Sequence, residues 1–209
     1  MASKSSESTP AAANRSRRKL PTSLLTRDDL RLFAQGTHYR LHHKLGAHRV
    51  SRGQQDGVHF AVWAPNAEHV SVVGEFNDWA PGETPLQPRA SSGIWEGFVP
   101  DLDAGTLYKF HIRSQYHGYE AQKCDPLGVR HEVPPRTASI VWDLDYDWND
   151  QAWMSERARR QNLHAPVSIY ELHLGSWRRR NGEPLTYREL APLLAEYIND
   201  LGFTHVEFL

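Results

Sequence analysis

The chain has 209 residues, 39% of them hydrophobic, which suffices for one or two packed domains. Its 24 Lys and Arg nearly balance its 25 Asp and Glu, so net charge offers no drive toward nucleic acid or an anionic membrane. A single cysteine, Cys124, excludes an internal disulfide and points to a reducing, cytoplasmic setting, while no apolar run reaches membrane-spanning length and the first residues lack a secretory signal.

In chain order, residues 1–24 are expected to form a disordered tail. Met1 to Lys19 is rich in Ser, Ala, Pro and Arg and has almost nothing to bury. Its basic cluster, Arg15, Arg17, Arg18 and Lys19, is short and unpatterned, as in a solvated tail. Leu24 to Gly36 reads as a short helix within a helix-and-linker segment spanning 25–50. Thr26 is the expected N-cap, with Asp29 at the capping-box position and Leu25 and Leu30 as a hydrophobic staple. His38, His42, His43 and His48 follow, without an acidic or thiol partner at metal-ligand spacing.

Over 51–145 the period of the pattern changes to two. Strands are predicted at Val58 to Trp63, His69 to Gly74, Gly93 to Val99, Thr106 to Arg113 and Thr137 to Trp142. Gly, Pro, Asn and Asp punctuate them, the pattern of a β-sandwich. In the clearest strand Tyr108, Phe110 and Ile112 point one way, and Lys109, His111 and Arg113 the other. Lys109 therefore lies on the face away from the core. Trp79 ends the segment Gly74-Glu75-Phe76-Asn77-Asp78-Trp79, a large aromatic in a polar turn. Two readings of it stand side by side. It folds back to cap the core, or it is a platform for a flat, partly apolar ligand such as a sugar, with Lys109 as a donor to hydroxyls.

Residues 146–165 read as a connecting turn and helix, with Trp148 and Trp153 expected to pack between domains. The remainder, 166–209, has the order strand, helix, strand. Val167 to Leu174 is the first strand, and Thr204 to Leu209 the second. Thr186 to Leu201 carries an apolar stripe, a capping box of Thr186 and Glu189, and Gly202 beyond its end. Pro192 falls inside this pattern, so that either the first turn is separate or the helix kinks. Such a unit joins parallel strands by a crossover. A parallel pair needs cover on both faces and further strands beside it, so the sequence is expected to break off inside a larger α/β domain. The sequence contains no phosphate-cradling glycine loop, no metal-spaced cysteine pairs, no nucleophile elbow and no internal repeat.

Several motifs together resemble the 1,4-α-glucan (glycogen) branching enzymes. They are YRLHHKLGAH at Tyr39 to His48, FAVWAPNAEHVSVVGEFNDW at Phe60 to Trp79, Asp125-Pro126, TASIV at Thr137 to Val141, SIYELHLGSW at Ser168 to Trp177, YREL at Tyr187 to Leu190 and GFTHVEFL at Gly202 to Leu209. The resemblance implies a mostly β protein. An immunoglobulin-like β-sandwich of the glycogen-binding type precedes the first βαβ unit of a truncated (β/α)8 barrel of the α-amylase superfamily. It further implies retaining glycosyl transfer, in which an α-1,4 glucan is cut and passed to a 6-hydroxyl. No cofactor is implied, and the partner is α-glucan (glycogen) rather than nucleic acid or membrane. The family's catalytic carboxylates have no counterpart among these residues, so no catalytic residue is assigned. Trp79 and Lys109 match its glucan-binding Trp and Lys, and Tyr119, or less directly Tyr116, is the candidate for a second aromatic. Three other readings remain open: a stand-alone glucan-binding module, another barrel glycoside hydrolase such as a debranching enzyme, and a metal-using barrel enzyme with Glu171, His173, His205 and Glu207 as ligands.

Overall fold

The structure is a computed structural model and describes residues 23–209. Residues 1–22 of the predicted tail, with its basic cluster, lie outside the described residues, whereas its last two, Ser23 and Leu24, are ordered against the first unit: Ser23 is buried and donates to Glu96, and Leu24 O accepts from Lys44. The chain divides into two compact units, at Asp145 and Tyr146.

The first unit opens with helix α1, Arg27–Ala34. Both halves of its capping box form: the Thr26 N–H donates to Asp29 Oδ2 at 2.8 Å, and the Asp29 N–H to Thr26 Oγ1 at 3.1 Å. Leu30 packs against buried Leu25 as the staple requires. At the far end the Thr37 N–H reaches Leu32 O and the Gly36 N–H reaches Phe33 O, a Schellman close around left-handed Gly36.

Eight strands follow: β1 Gly46–Arg52, β2 Gln55–Trp63, β3 Ala67–Gly74, β4 Gln87–Pro88, β5 Ile94–Pro100, β6 Leu107–Ser114, β7 Glu120–Lys123 and β8 Ser139–Ile140. All their pairings are antiparallel. One sheet has the order β1-β2-β5-β4. The other has β3-β6-β7, with β8 beside β6 at Leu107 and Tyr108. The chain between β3 and β5 passes from sheet to sheet: Thr84 and Leu86 bond to the β3 backbone before Gln87 and Pro88 join β5.

Alternation decides what the two sheets share. Val58, Phe60 and Val62 of β2 meet Val70 and Val72 of β3 and Tyr108 and Phe110 of β6 in one buried cluster. Phe60 and Tyr108 stack edge to face at 5.0 Å, a geometry that adds to the area they bury. The Tyr108 hydroxyl donates to Asp125 at 2.6 Å, and the Leu127 N–H to the other carboxyl oxygen at 2.8 Å, so the buried Asp125-Pro126 turn is fastened to the core strand. Burial outweighs these bonds and pushes the Asp125 carboxyl above its ordinary range.

The outer face of the first sheet is not solvated. Ala61 and Ile94 cluster with Leu25 and Leu45, and Leu30, Phe33 and Leu41 close over them. Beside this patch His59 is fully buried and lies 3.4 Å from Glu96, which also accepts from Ser23 Oγ at 2.6 Å. Burial alone would raise the Glu96 carboxyl, but His59 and Ser23 hold it below its ordinary value. Residues 23–45 are thus a cover for the sheet. The segment expected to be helix and linker also holds an edge strand, since Gly46 to Arg52 pairs with β2 along its whole length. The predicted strand at Thr137 to Trp142 shortens to Ser139–Ile140.

In the second unit α2 spans Gln151–Arg160 and buries no residue. Trp148 is 70% exposed, and the ring contacts of Trp148 and Trp153 are local, to Tyr146 and Arg157. Strand β9, Ile169–Leu172, stops sooner than predicted, because His173 caps a short helix α3, Leu174–Trp177. The two-residue strands β10, Arg179–Arg180, and β11, Glu183–Pro184, form a hairpin. Helix α4, Tyr187–Asp200, is a single helix with Pro192 inside it, so the first turn is not separate. Thr186 and Glu189 form its capping box, and Gly202 and Phe203 close it in the Schellman pattern. Strand β12, His205–Phe208, then pairs with β9 in parallel, Glu207 beside Glu171. Leu172, Leu190 and Leu194 form the buried centre of this unit.

Candidate functional site

The site begins with how a tryptophan is held in a polar turn. β3 ends at Gly74, and a 3-10 turn, Glu75–Asn77, follows. Asn77 organises it. Its Oδ1 accepts from the Gly74 N–H at 2.9 Å, and its Nδ2 donates to Val72 O at 2.9 Å and Thr84 Oγ1 at 3.0 Å. Two consecutive residues then take left-handed backbone, Asp78 at φ 49° and Trp79 at φ 58°. For residues other than glycine this is costly and needs support from its surroundings. The support is the Asn77 network together with the Trp79 N–H, which donates to Gly74 O at 2.9 Å.

The result is a partly buried indole beside the outward-facing row of β6. Lys109 Nζ lies 5.9 Å from the centre of the Trp79 ring, at the outer limit of a cation–π contact. Neither residue belongs to the buried core cluster, whereas their neighbours Val72, Tyr108 and Phe110 do. Trp79 is therefore not a cap on that cluster. The arrangement offers an aromatic ring with an ammonium donor over it. Such a pair suits a ligand with an apolar C–H face and hydroxyls on its rim.

Tyr119 is not brought to this pair. It is 62% exposed in the β6–β7 turn, where the Ser114 N–H donates to its carbonyl at 2.8 Å. Ser114 stands five residues from Lys109, about 17 Å along a strand. Exposed Tyr116 lies in the same turn. The cause is register: Phe110 pairs with Lys123 and Arg113 with Glu120, so the long hairpin carries its aromatics to the far end. The residues that do share the Lys109 face are His111 and Arg113 of β6, with Glu120 and Gln122 opposite. The alternation of β6 was the signal for the first two. Nothing in the sequence marked the latter two.

Among the described residues no three His, Cys, Asp or Glu side chains gather as a metal site. Glu171, His173, His205 and Glu207 do not assemble into one, and His38 is engaged with Asp29 at 2.8 Å. No helix among the described residues is long and apolar enough to cross a membrane.

Residues 44–128 match the family carbohydrate-binding module 48 (isoamylase N-terminal domain). This span contains both Trp79 and Lys109. The chain is also similar to 1,4-alpha-glucan branching enzymes. It is 52% identical to that of Albidiferax ferrireducens over 87% of this chain and 29% of the relative. For Myxococcus xanthus the identity is 51%, over 91% of this chain and 26% of the relative. For Paramagnetospirillum magneticum it is 50%, over 87% and 25%. The chain thus spans little more than a quarter of the length of these relatives.

Proposed function

As a homologue of the 1,4-alpha-glucan branching enzymes, this chain is, we propose, the N-terminal, glucan-holding part of such an enzyme. In this reading the β-sandwich is of the immunoglobulin-like, glycogen-binding type. The second unit begins a (β/α)8 barrel, in which the enzyme cuts an α-1,4 glucan and passes it to a 6-hydroxyl. The parallel pairing of β9 and β12 supports the barrel, as do the apolar side chains they leave open: Ile169 is 51% and Phe208 58% exposed. Parallel strands are stable when both faces are covered. A cytoplasmic setting, with glycogen as the polymer, belongs to the same proposal.

The single observation that carries the glucan reading is the Trp79–Lys109 pair, set on the sheet's outer face by a strained turn. Aromatic stacking against the C–H face of a glucose ring supplies the affinity. The lysine bonds to ring hydroxyls and fixes orientation. The catalytic carboxylates of the reaction are not assigned to any residue of this chain, so its part is to hold polymer near the reacting centre and raise its local concentration.

Electrophoresis through a gel containing glycogen tests this. The chain is expected to be retarded, and Trp79→Ala to weaken retention by at least about tenfold, the loss of a contact of roughly 1.4 kcal/mol. Lys109→Ala should weaken it less. Mobility unaffected by glycogen, or undiminished retardation of Trp79→Ala, would overturn the proposal.

A further inference from the structure

A cavity of about 540 Å³ opens on the sheet face that carries Lys109. Strand parity sets its floor. His111 and Arg113 of β6 lie in it, opposite Ser71 and His69 of β3, and Lys109 stands one alternation beyond them on the same strand face, outside the cavity. The chain after Trp79 forms one wall, because the Gly82 N–H donates to Ser71 Oγ at 3.0 Å and Pro85 bridges Ser71. The loop that presents Trp79 thus continues directly as the rim of the cavity.

The lining has two characters. Pro81, Pro85 and Trp95 are apolar and rigid. Facing them are polar groups that pair with one another: Arg113 Nε lies 3.3 Å from Glu68 and 3.8 Å from Glu120, and His111 Nε2 lies 3.4 Å from Glu120. Two carboxylates against one guanidinium repel an anionic ligand. Oriented acceptors and donors beside apolar walls suit an uncharged polyhydroxyl one. From Lys109, just outside the cavity, to Arg113 within it the strand face runs about 13 Å, which is longer than a single sugar ring.

We infer that this cavity is a second set of sugar subsites, continuing an α-glucan from the Trp79–Lys109 pair along β6 toward Arg113 and Glu120. The inference rests on the glucan reading above and adds a direction and a length to it. Polymer bound in this way is read over several residues, so affinity grows with chain length.

Calorimetric titration of the 209-residue chain with maltotriose and maltoheptaose tests it. Affinity is expected to rise at least about tenfold from the shorter to the longer sugar, the yield of one or two added hydrogen bonds. His111→Ala and the milder Glu120→Gln should remove that gain and leave maltotriose binding unchanged, whereas Trp79→Ala should weaken both. Equal binding of the two sugars by the unsubstituted chain, or a full length gain in both variants, overturns the subsites and leaves the Trp79 reading standing. Binding of neither sugar overturns both.

Discussion

At the scale of single residues, Asn77 matters as much as the tryptophan it supports. One side chain satisfies a strand end, a strand carbonyl and a threonine across the loop. These bonds over-determine a turn that would otherwise relax away from left-handed Asp78 and Trp79. Replacing Asn77 by Ala should cost about 1–3 kcal/mol in chemical denaturation, because partly buried partners lose their bonds. It should also weaken glycogen retention, although Asn77 is not expected to touch the sugar. Asp29 makes the second case. Burial works to raise its carboxyl, but bonds from Thr26 and His38 and the charge of Lys44, 3.4 Å away, hold it far below the ordinary 3.8. A depressed carboxyl contributes stability above its unfolded value and loses it as pH falls toward the folded one. Stability should therefore drop below about pH 4, and the drop should be smaller in Asp29→Asn, as read from denaturation midpoints on either side of that pH.

At the scale of elements, what the sequence made legible was whatever buries a periodic face. Strands β2, β3, β5 and β6 alternate and were readable. The helices α1 and α4 announce themselves by capping boxes and closing glycines, and the parallel pairing of β9 with β12 follows from the crossover rule. Strand β1, with His48, Arg49 and Arg52, and strand β7, Glu120–Lys123, carry almost no apolar signal. They are strands because β2 and β6 offer them open edges, a cause the local sequence does not contain. The same limit explains Tyr119. Its distance from Lys109 is set by the length and register of the β6–β7 hairpin, which the residue types leave undetermined. Residue types allowed Trp79 and Lys109 to be read as a pair, but only the resemblance favoured it, since parity placed Lys109 outward and left Trp79 open between core and surface. The close pairing of β3 and β6 makes a sharp prediction at this scale. A Cβ at Gly74 would sit 2.3 Å from Leu107 O, so Gly74→Ala must push the two strands apart. It should destabilise the sandwich by about 2 kcal/mol or more in denaturation, and reduce glycogen retention by displacing the loop that starts there.

At the scale of the whole chain, the two units differ in how complete their cores are. The first closes two sheets on a shared apolar centre and covers one outer face with residues 23–45. The second has a small centre of Leu172, Leu190 and Leu194 and leaves much of its parallel pair open. In the proposed reading, the first unit is the part that holds glucan. The central claim is that Trp79 and Lys109 receive the sugar. Titration of the isotope-labelled chain with maltoheptaose, followed by NMR, tests it most directly through the side-chain indole signals of its tryptophans. The account predicts that the Trp79 indole signal moves with the backbone signals around Lys109, while those of Trp153 and Trp177 stay in place. A Trp79 signal unmoved at saturating sugar, or a larger shift at Trp153 or Trp177, would contradict it.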